Sequence, residues 1–405
     1  MEVKKKIALV NVLFPPNALG GATRIVTDEI AGLKELYGDE FEVVVFTADF
    51  DRRPLYNVNV YPYQGFRVYS VSCELTIESN WLEQDENIAR VFDEFLAFEN
   101  PDLVHFHAVQ VLTGSVVEVT QKTGIPYLVT IHDAWWISDH QFLVDRSNLV
   151  YPNGHPDPFE SVSLPDGVSL ERSITRKSYL KRLLAGSEHV LAVSDTYRTI
   201  YESNGVGNVI TNKNGISRSI PWKQKDTRHT EKVVCAHIGG ISDHKGFGIF
   251  QRAVSSTNVP NIEVVVVDHS MEEGRVEQAR WGTTGVTVMG HVSQENIANL
   301  YERIDVLFAP SIAPESYGLV TREAAACGCW LVASNVGAIG EDITRDNGFR
   351  VSPTEFEIAK ILKEIDRNIK RYKSPSYSTT IRFSEEQVRE LVELIREVIN
   401  NKETR

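Results

Sequence analysis

Residues 306–326, VLFAPSIAPESYGLVTREAAA, determine how the second half of this chain folds. The first four residues form an unbroken apolar run, which is typical of a parallel strand buried on both faces. A proline-containing loop follows, and a helix rich in small residues is predicted to begin near Gly318. Glu315 then lies in the loop and Glu323 in the helix. The free backbone N–H groups at the start of this helix favour binding of an anion such as a diphosphate.

The same alternation of short apolar runs and helical patterns extends over the whole chain, and it predicts the α/β class with parallel sheets covered by helices. The first set of predicted strands comprises residues 7–14, 42–47, 103–107, 127–131 and 190–193. The second set comprises residues 233–238, 262–267, 286–289, 306–309 and 330–333. A polar segment, residues 214–228, separates the two sets. We predict two Rossmann-like domains, residues 1–214 and 215–384, and an amphipathic C-terminal helix in residues 385–405.

Composition excludes several classes of protein. The 405 residues carry a formal charge of −13, which disfavours nucleic-acid binding through phosphate neutralisation. The four cysteines lack the spacing of a zinc site, and no apolar run approaches the ~20 residues that cross a bilayer. The apolar residues near the N-terminus fit a first buried strand better than a signal peptide. We therefore expect a cytoplasmic protein.

Adjacent glycines follow the first predicted strand. Gly20 and Gly21 lead into a predicted helix over residues 25–36, where they would let the backbone approach a phosphate closely. A flexible turn without a ligand is the alternative interpretation.

Polar side chains also end two other strands of the first domain. His107 ends one strand, and His132 and Asp133 end the next. In an open α/β sheet this edge binds ligands, although a structural histidine would explain each position equally. Trp135 can stack on a sugar or pack in the core.

A third glycine-containing loop, residues 239–246, follows the first strand of the second domain. Gly240 would admit a ligand to the backbone, and Lys245 offers a mobile positive charge for a phosphate. A surface lysine in a turn is the alternative.

Together these elements resemble the GT-B glycosyltransferases, in particular glycosyltransferase family 4. Glu315 and Glu323 match the family's E-x7-E signature, and the remaining motifs occur in the family's order over roughly residues 6–400. The resemblance implies two Rossmann-like domains facing each other across a cleft, with the C-terminal helix packed back on the first domain. It also implies a retaining enzyme that transfers a hexose from a UDP- or GDP-sugar to a hydroxyl of a glycan or lipid-linked acceptor.

The resemblance implies roles for individual residues. Glu315 would lie beside the donor sugar, Glu323 would hold the ribose, and Lys245 would bind the diphosphate. His132 would contact the donor sugar from the first domain. The other matches are donor-binding positions, Gly20, Gly21, Gly240, Ser316, Tyr317, Gly318 and Leu319, and acceptor-side positions, His107, Asp133 and Trp135.

The chain departs from the family pattern at one position that matters. The family usually has an arginine five residues before the lysine, and this chain has Gly240 there. A cation is therefore missing, and Arg24, Arg198 or Arg322 are candidates to replace it. Tyr317 stands where phenylalanine is frequent, which is a milder change.

Neither a metal nor another cofactor is expected. The sequence Asp49-Phe50-Asp51 has the D-x-D form of a metal motif, but its setting favours a solvated turn. No G-x-G-x-x-G follows either opening strand, which argues against a nicotinamide oxidoreductase. The alternative function is a non-catalytic, two-lobed sugar-binding or glycosyltransferase-like scaffold protein.

Two further segments bear on partners. Residues 171–184 form a basic helix that is either solvated or docked peripherally at a membrane that carries the acceptor. Residues 135–166 form an irregular excursion, which is too long for a simple connection and is expected to have a functional role.

Overall fold

The computed structural model describes residues 4–16, 20–152, 154, 163–218, 231–376 and 381–404. The chain forms two compact units. Unit 1 comprises Met1–Gln141, Asn153–Gly215 and Phe383–Arg405, and unit 2 comprises Phe142–Pro152 and Ile216–Arg382. Part of the 135–166 excursion thus groups with unit 2, and most of the segment predicted as a linker lies outside the described residues.

Unit 1 is built on one eight-stranded sheet with the order β3-β4-β2-β1-β5-β6-β7-β8. All neighbours are parallel except β3 and β4, which form an antiparallel hairpin. Its strands are β1 (Lys5–Val10), β2 (Phe41–Asp49), β3 (Val58–Tyr63), β4 (Phe66–Ser72), β5 (Leu103–Phe106), β6 (Tyr127–Ile131), β7 (His189–Ala192) and β8 (Val209–Thr211). Its helices are α1 (Gly20–Tyr37), α2 (Ile77–Trp81), α3 (Glu86–Glu99), α4 (Ser115–Thr123), α5 (Leu170–Ala185) and α6 (Asp195–Ser203).

Unit 2 repeats this plan with seven strands in the order β11-β12-β10-β9-β13-β14-β15. Only the edge strand β11 is antiparallel to its neighbour. Its strands are β9 (Val233–His237), β10 (Ile262–Val267), β11 (Val276–Trp281), β12 (Thr284–Met289), β13 (Val306–Ala309), β14 (Trp330–Ser334) and β15 (Gly348–Val351). Its helices are α7 (Phe247–Ser256), α8 (Gln294–Glu302), α9 (Leu319–Ala326), α10 (Glu355–Arg367) and α11 (Ile369–Lys373).

The C-terminal helix α12 (Ser384–Thr404) belongs to unit 1. Its apolar face packs with α1 in the core of that unit. Arg396 forms a bidentate pair with Glu40 through contacts of 2.8 and 2.6 Å. This helix therefore returns the end of the chain to the sheet with which the chain begins.

The predicted strands differ from the observed ones in several ways, and the strands β8, β11 and β15 are absent from the predicted set. The strand predicted over residues 7–14 ends at Val10, because the Asn11 side chain accepts a hydrogen bond from the Ala108 amide and donates one to the Leu13 carbonyl. The edge hairpin β3-β4 was not predicted. Its two-residue turn, Gln64-Gly65, has positive φ at both residues, the geometry that joins twisted antiparallel strands.

A buried arginine organises the interior of unit 1. Arg176 on α5 is fully enclosed, and its guanidinium donates to the carbonyls of Trp81, Ser138 and Trp135 at 2.8, 3.2 and 3.1 Å. The same group lies 5.0 and 4.8 Å from the Trp81 and Trp135 ring centres. Burial lowers the pKa of Arg176 to about 10, so the side chain remains charged at neutral pH.

Replacing Arg176 should destabilise unit 1 much more than replacing a neighbouring arginine. Arg176→Met leaves three buried carbonyls without a donor, which should cost about 3 kcal/mol or more. Arg172→Met removes only an exposed arginine stacked on Trp81 and should cost less than about 1 kcal/mol. Urea unfolding followed by hydrogen exchange in β6 and β7 measures both effects. Equal stabilities of the two variants would contradict the structural role of Arg176.

Candidate functional site

Two loops of unit 2 are fastened together through the backbone of His244. The His244 carbonyl accepts hydrogen bonds from Ser311 Oγ at 2.8 Å and from the amides of Ile312 and Ala313 at 3.0 and 3.2 Å. Gly246 follows with a φ of +76°, and a Cβ there would lie 2.0 Å from the Pro310 carbonyl oxygen. Only glycine permits this approach, which fixes the Lys245 turn against the loop that contains Glu315.

Lys245 and Glu315 form an ion pair between these two loops. Lys245 Nζ lies 3.0 Å from Glu315 Oε2, and the side chains are 33% and 13% exposed. Burial by itself would raise the pKa of Glu315, but the charge and hydrogen bond of Lys245 outweigh it and hold that pKa below its usual value. Glu315 is therefore ionised at neutral pH, beside an ammonium group that remains partly open to solvent.

Close backbone packing holds the Glu315 loop from its other side. Glu315 forms an isolated parallel bridge with Gly337, and the Ala338 amide donates to the Glu315 carbonyl at 2.8 Å. A Cβ at Gly337 would lie 2.4 Å from the Glu315 nitrogen. The carboxylate is thus carried on backbone fixed at two points.

Helix α9 begins directly after this loop. Gly318, its N-cap residue, has a φ of +87°, and a Cβ there would lie 2.7 Å from Ile339 Cγ1. Within the part of the chain that the structure describes, no side chain caps this helix. The predicted donor-binding positions Ser316 and Leu319 flank Gly318 and are partly exposed. The helix start therefore meets the requirement for an anion-binding turn.

Tyr317 and Arg322 support this turn from within. Tyr317 is buried, and the Arg322 guanidinium carbon lies 4.3 Å from its ring centre. Arg322 pairs with Asp342 at 2.8 Å and donates to the Ala338 carbonyl at 2.9 Å. Arg322 is therefore committed to the interior of unit 2 and does not supply the cation missing at Gly240.

Glu323 lies in α9 and is 2% exposed. The buried Tyr301 hydroxyl donates to Glu323 Oε2 at 3.0 Å. Unit 2 thus brings together both carboxylates of the E-x7-E pattern and Lys245 on adjoining segments.

A histidine occupies the space beside Gly240. A Cβ at Gly240 would lie 3.0 Å from His269 Cδ2, and the φ of Gly240 is +75°. His237 below this turn contacts the carbonyls of Gly240 and Phe308 at 3.2 and 3.1 Å. Burial lowers the pKa of His237 to about 4, which makes it neutral. An arginine at residue 240 would therefore crowd His269 and would need a backbone conformation that residues other than glycine rarely adopt.

In unit 1, Gly20 and Gly21 form the first residues of α1. Gly20 has a φ of +84°, and a Cβ there would meet nothing within 4 Å. Residues 17–19 of the same loop lie outside the described residues.

The histidines predicted on unit 1 lie in one connected cluster. His107 Nδ1 and His132 Nε2 are 2.9 Å apart, with the two rings nearly parallel. Glu29 on α1 lies behind them, with Oε1 2.9 Å from His105 Nδ1 and 3.6 Å from His107 Nε2. Burial lowers the pKa of His107 and lowers that of His132 well below the usual value, so both rings are neutral at physiological pH.

Asp133 and Trp135 are engaged in local structure. Asp133 Oδ2 accepts from Gln110 and Gln141 at 2.8 and 2.7 Å, and Oδ1 accepts from the Trp135 amide at 2.9 Å. Burial raises the pKa of Asp133. Trp135 is 2% exposed and donates to the Asn80 carbonyl at 2.7 Å. Its indole is therefore packed in the interior and offers little surface for stacking on a sugar.

The residues described here contain one group of three side chains spaced for a metal ion, Glu29, His105 and His107, whose candidate ligand atoms lie within 4.8 Å of one another. The D-x-D sequence forms a turn instead. Asp49 accepts a hydrogen bond from the Asp51 amide at 3.0 Å and pairs with Arg52 at 2.8 Å.

Most basic side chains of α5 have partners within unit 1. Lys177 pairs with Asp139 at 3.5 Å and Arg182 with Glu118 at 3.2 Å, while Arg172 and Arg176 stack on Trp81. None of the described helices is long and apolar enough to cross a bilayer.

Sequence reasoning missed His269 and Glu29. His269 comes two residues after β10, at the carboxyl edge of the sheet, where candidate residues are predicted after other strands. Glu29 occupies the apolar stripe of α1 formed by Ile25, Val26, Ile30 and Leu33. A carboxylate at a core position was a visible signal, because such a group needs a buried partner.

Comparison with known proteins agrees with this architecture. The model of Glycosyltransferase Family 4 matches residues 19–219, and the model of Glycosyl transferases group 1 matches residues 219–382. An uncharacterized glycosyltransferase of Methanocaldococcus jannaschii is 24% identical over 366 residues, which cover 86% of this chain and 85% of that protein.

Two solved structures share the fold over nearly the whole chain. Sucrose-phosphate synthase from Thermosynechococcus elongatus superposes with a TM-score of 0.73 at 17% identity, covering 98% of this chain and all of that one. HepE of Anabaena, solved with UDP and glucose, gives a TM-score of 0.66 at 16% identity, covering 97% and 99% of the two chains. With two Rossmann-like sheets, the E-x7-E pair and both family models matched, the chain belongs to the GT-B glycosyltransferases of the family 4 type.

Proposed function

We propose that this protein transfers a hexose from a nucleoside diphosphate sugar to a hydroxyl of a glycan or lipid-linked acceptor, with retention of anomeric configuration. The observation that carries the proposal is the Lys245–Glu315 pair, 3.0 Å apart beside the uncapped start of α9. An ammonium group and a helix N-terminus at one place suit a diphosphate. The donor would bind there, with its ribose on Glu323.

Departure of the diphosphate is the step that this arrangement would favour. Negative charge builds on the leaving phosphate oxygens as the anomeric bond breaks, and preorganised donors stabilise that charge. Lys245 would contribute a full charge, and the amides near Gly318 would contribute the helix dipole. His269, whose ring lies beside Gly240, would donate a further hydrogen bond in place of the absent arginine.

Glu315 is better suited to electrostatic support than to covalent attack. A carboxylate whose pKa is held low by an adjacent ammonium group is a weak base and a weak nucleophile. Its charge would instead stabilise the positive character that develops at the anomeric carbon.

We propose that the donor is a UDP- or GDP-linked sugar, in keeping with the UDP and glucose bound to HepE. We propose that no metal takes part, since Lys245 would supply the cationic charge. The proposed location is cytoplasmic. Peripheral membrane contact through α5 has little support, because four of its five basic side chains have partners within unit 1.

A non-catalytic scaffold is the competing function, and one experiment separates the two. A thermal-shift screen against UDP, GDP, ADP and their sugars identifies the donor, because a bound ligand raises the apparent stability. The stabilising donor is then incubated with the protein, and release of the nucleoside diphosphate is followed. Turnover of the donor supports the enzyme, whereas stabilisation without any turnover supports the scaffold.

Removing the ammonium group of Lys245 should lower turnover by several orders of magnitude, at ~1.4 kcal/mol for each factor of ten. The measurement is kcat for donor consumption by Lys245→Ala. Lys360→Ala is the matched control, because Lys360 is an exposed lysine of the same unit, and among the described residues its ion pair is with Glu357. Near-normal turnover of Lys245→Ala would overturn the diphosphate assignment.

Neutralising Glu315 should impair catalysis without abolishing donor binding. Glu315→Gln keeps the shape and removes the charge, so kcat should fall about 10²-fold or more while calorimetry still detects the nucleoside diphosphate. Mass spectrometry of the wild-type enzyme quenched during turnover should detect no glycosyl ester on Glu315. Detection of such an ester would refute the electrostatic role.

Chelation should leave the reaction unaffected. With EDTA in excess, the rate of donor consumption should remain within about twofold of the untreated rate. The reason is that Lys245, rather than a metal ion, is proposed to balance the negative charge of the diphosphate. A strict requirement for Mn²⁺ would contradict this prediction and would favour Asp49 and Asp51 as metal ligands.

A further inference from the structure

A buried carboxylate lies behind the histidine proposed to contact the donor sugar. Glu29, His105 and His107 are 1 to 2% exposed, and Glu29 Oε1, His105 Nδ1 and His107 Nε2 converge without forming a hydrogen bond of good geometry. His132 is more exposed and is connected to this group through His107. The arrangement runs from α1 through the end of β5 to the end of β6.

Glu29 is ionised despite its burial. Its Oε1 lies 2.9 Å from His105 Nδ1 and 3.6 Å from His107 Nε2, and these polar neighbours outweigh the effect of burial and hold the pKa of Glu29 well below its usual value. A buried negative charge must be met by N–H donors, because an unmet charge in the interior is strongly destabilising. The imidazole nitrogens that face Glu29 are therefore the ones that carry hydrogen.

This requirement selects one tautomer of His107. The ring is neutral and thus carries a single N–H. Nε2 lies 3.6 Å from the Glu29 carboxylate, which favours hydrogen on Nε2 and leaves Nδ1 as an acceptor. His105 approaches the same carboxylate through Nδ1, while its Nε2 lies 2.7 Å from Thr130 Oγ1.

The tautomer of His107 determines the tautomer of His132. His107 Nδ1 and His132 Nε2 are 2.9 Å apart, so one of these two nitrogens carries the hydrogen and the other accepts it. If His107 Nδ1 is the acceptor, His132 Nε2 is the donor, and Nδ1 of the neutral His132 ring keeps its lone pair. His132 can then accept a hydrogen bond from a sugar hydroxyl through Nδ1.

We propose that Glu29 is a positioning residue that fixes the tautomer and ring orientation of His132 through His107, so that His132 Nδ1 serves as a hydrogen-bond acceptor for the sugar being transferred. The inference rests on the proposed function for the role of His132. The tautomer itself does not depend on that function, and it is measured separately.

The first experiment measures tautomers on the intact protein. Long-range ¹H–¹⁵N correlation spectra of protein labelled with ¹⁵N-histidine distinguish the two tautomers, and His132→Gln assigns the signal. The wild type should carry hydrogen on His132 Nε2. Glu29→Gln should shift the population, because its amide can donate to His107 Nε2 and reverse the order of donors. Hydrogen on His132 Nδ1 in the wild type would overturn the proposal, and this outcome requires no variant to fold.

The second experiment measures kinetics with the donor found in the screen. Glu29→Gln should lower kcat about 10²-fold and change KM for the donor less than about threefold, because the diphosphate-binding residues are untouched. Thr130→Val is the matched control. It disturbs the same cluster at His105 but not the path to His132, and it should retain kcat within about threefold and keep the wild-type tautomer.

The outcomes separate this proposal from the proposed function. An unchanged kcat and an unchanged His132 tautomer in Glu29→Gln, in a protein that turns over donor, would refute the positioning role alone. One equivalent of zinc in the purified wild-type protein would also refute it, since a metal ion would then satisfy the three converging atoms. Absence of donor turnover in the wild type would remove the proposed function, while the tautomer measurement would still test the hydrogen-bonded chain.

Discussion

The ion pair between Lys245 and Glu315 is the interaction on which the proposed chemistry depends. It exists because two loops at the carboxyl ends of β9 and β13 are joined through one carbonyl, that of His244. Gly246 permits their contact, and Gly337 holds the Glu315 backbone from the opposite side. The pair is partly exposed, so its net contribution to stability is small. Its importance lies in placing a cation and an anion where a charged donor would need both.

The charged groups of the two units differ in their exposure and in their partners. In unit 2, the Lys245–Glu315 pair is partly exposed, so a diphosphate that bound there as proposed would compete for Lys245. In unit 1, Glu29 is fully enclosed and is balanced by imidazoles, and Arg176 is enclosed and balanced by carbonyls. An enclosed network of this kind gives fixed orientations, because each member has few alternative partners. Such rigidity suits the positioning role proposed for Glu29.

Local pattern was enough to predict the α/β alternation, because strands buried on both faces appear as continuous apolar runs. Seven strands were placed to within one residue at each end on that basis, namely β5, β6, β7, β9, β10, β13 and β14. The edge hairpin β3-β4 was not predicted, because β3 is half exposed and its sequence is not a continuous apolar run. The grouping of Phe142–Pro152 with unit 2 depends on tertiary contacts, such as the stacking of Phe142 on His244, which no local pattern encodes.

The candidate site was predictable where residues lie close together in sequence. Glu315, Gly318 and Glu323 belong to one strand–loop–helix segment, and their spacing identifies them. The cluster around His132 joins residues from α1, β5 and β6, and its acidic member stands more than seventy positions from the histidines. The burial of Trp135 could not be predicted from local sequence, because Trp135 packs against Arg176, which lies on a helix about forty residues further along the chain.

The most direct test of this donor site is a structure of the protein bound to the nucleoside diphosphate that it prefers. We expect Lys245 Nζ to lie within about 3 Å of a phosphate oxygen, with the phosphate at the start of α9 and the ribose on Glu323. A diphosphate bound elsewhere, with Lys245 still paired only to Glu315, would contradict it.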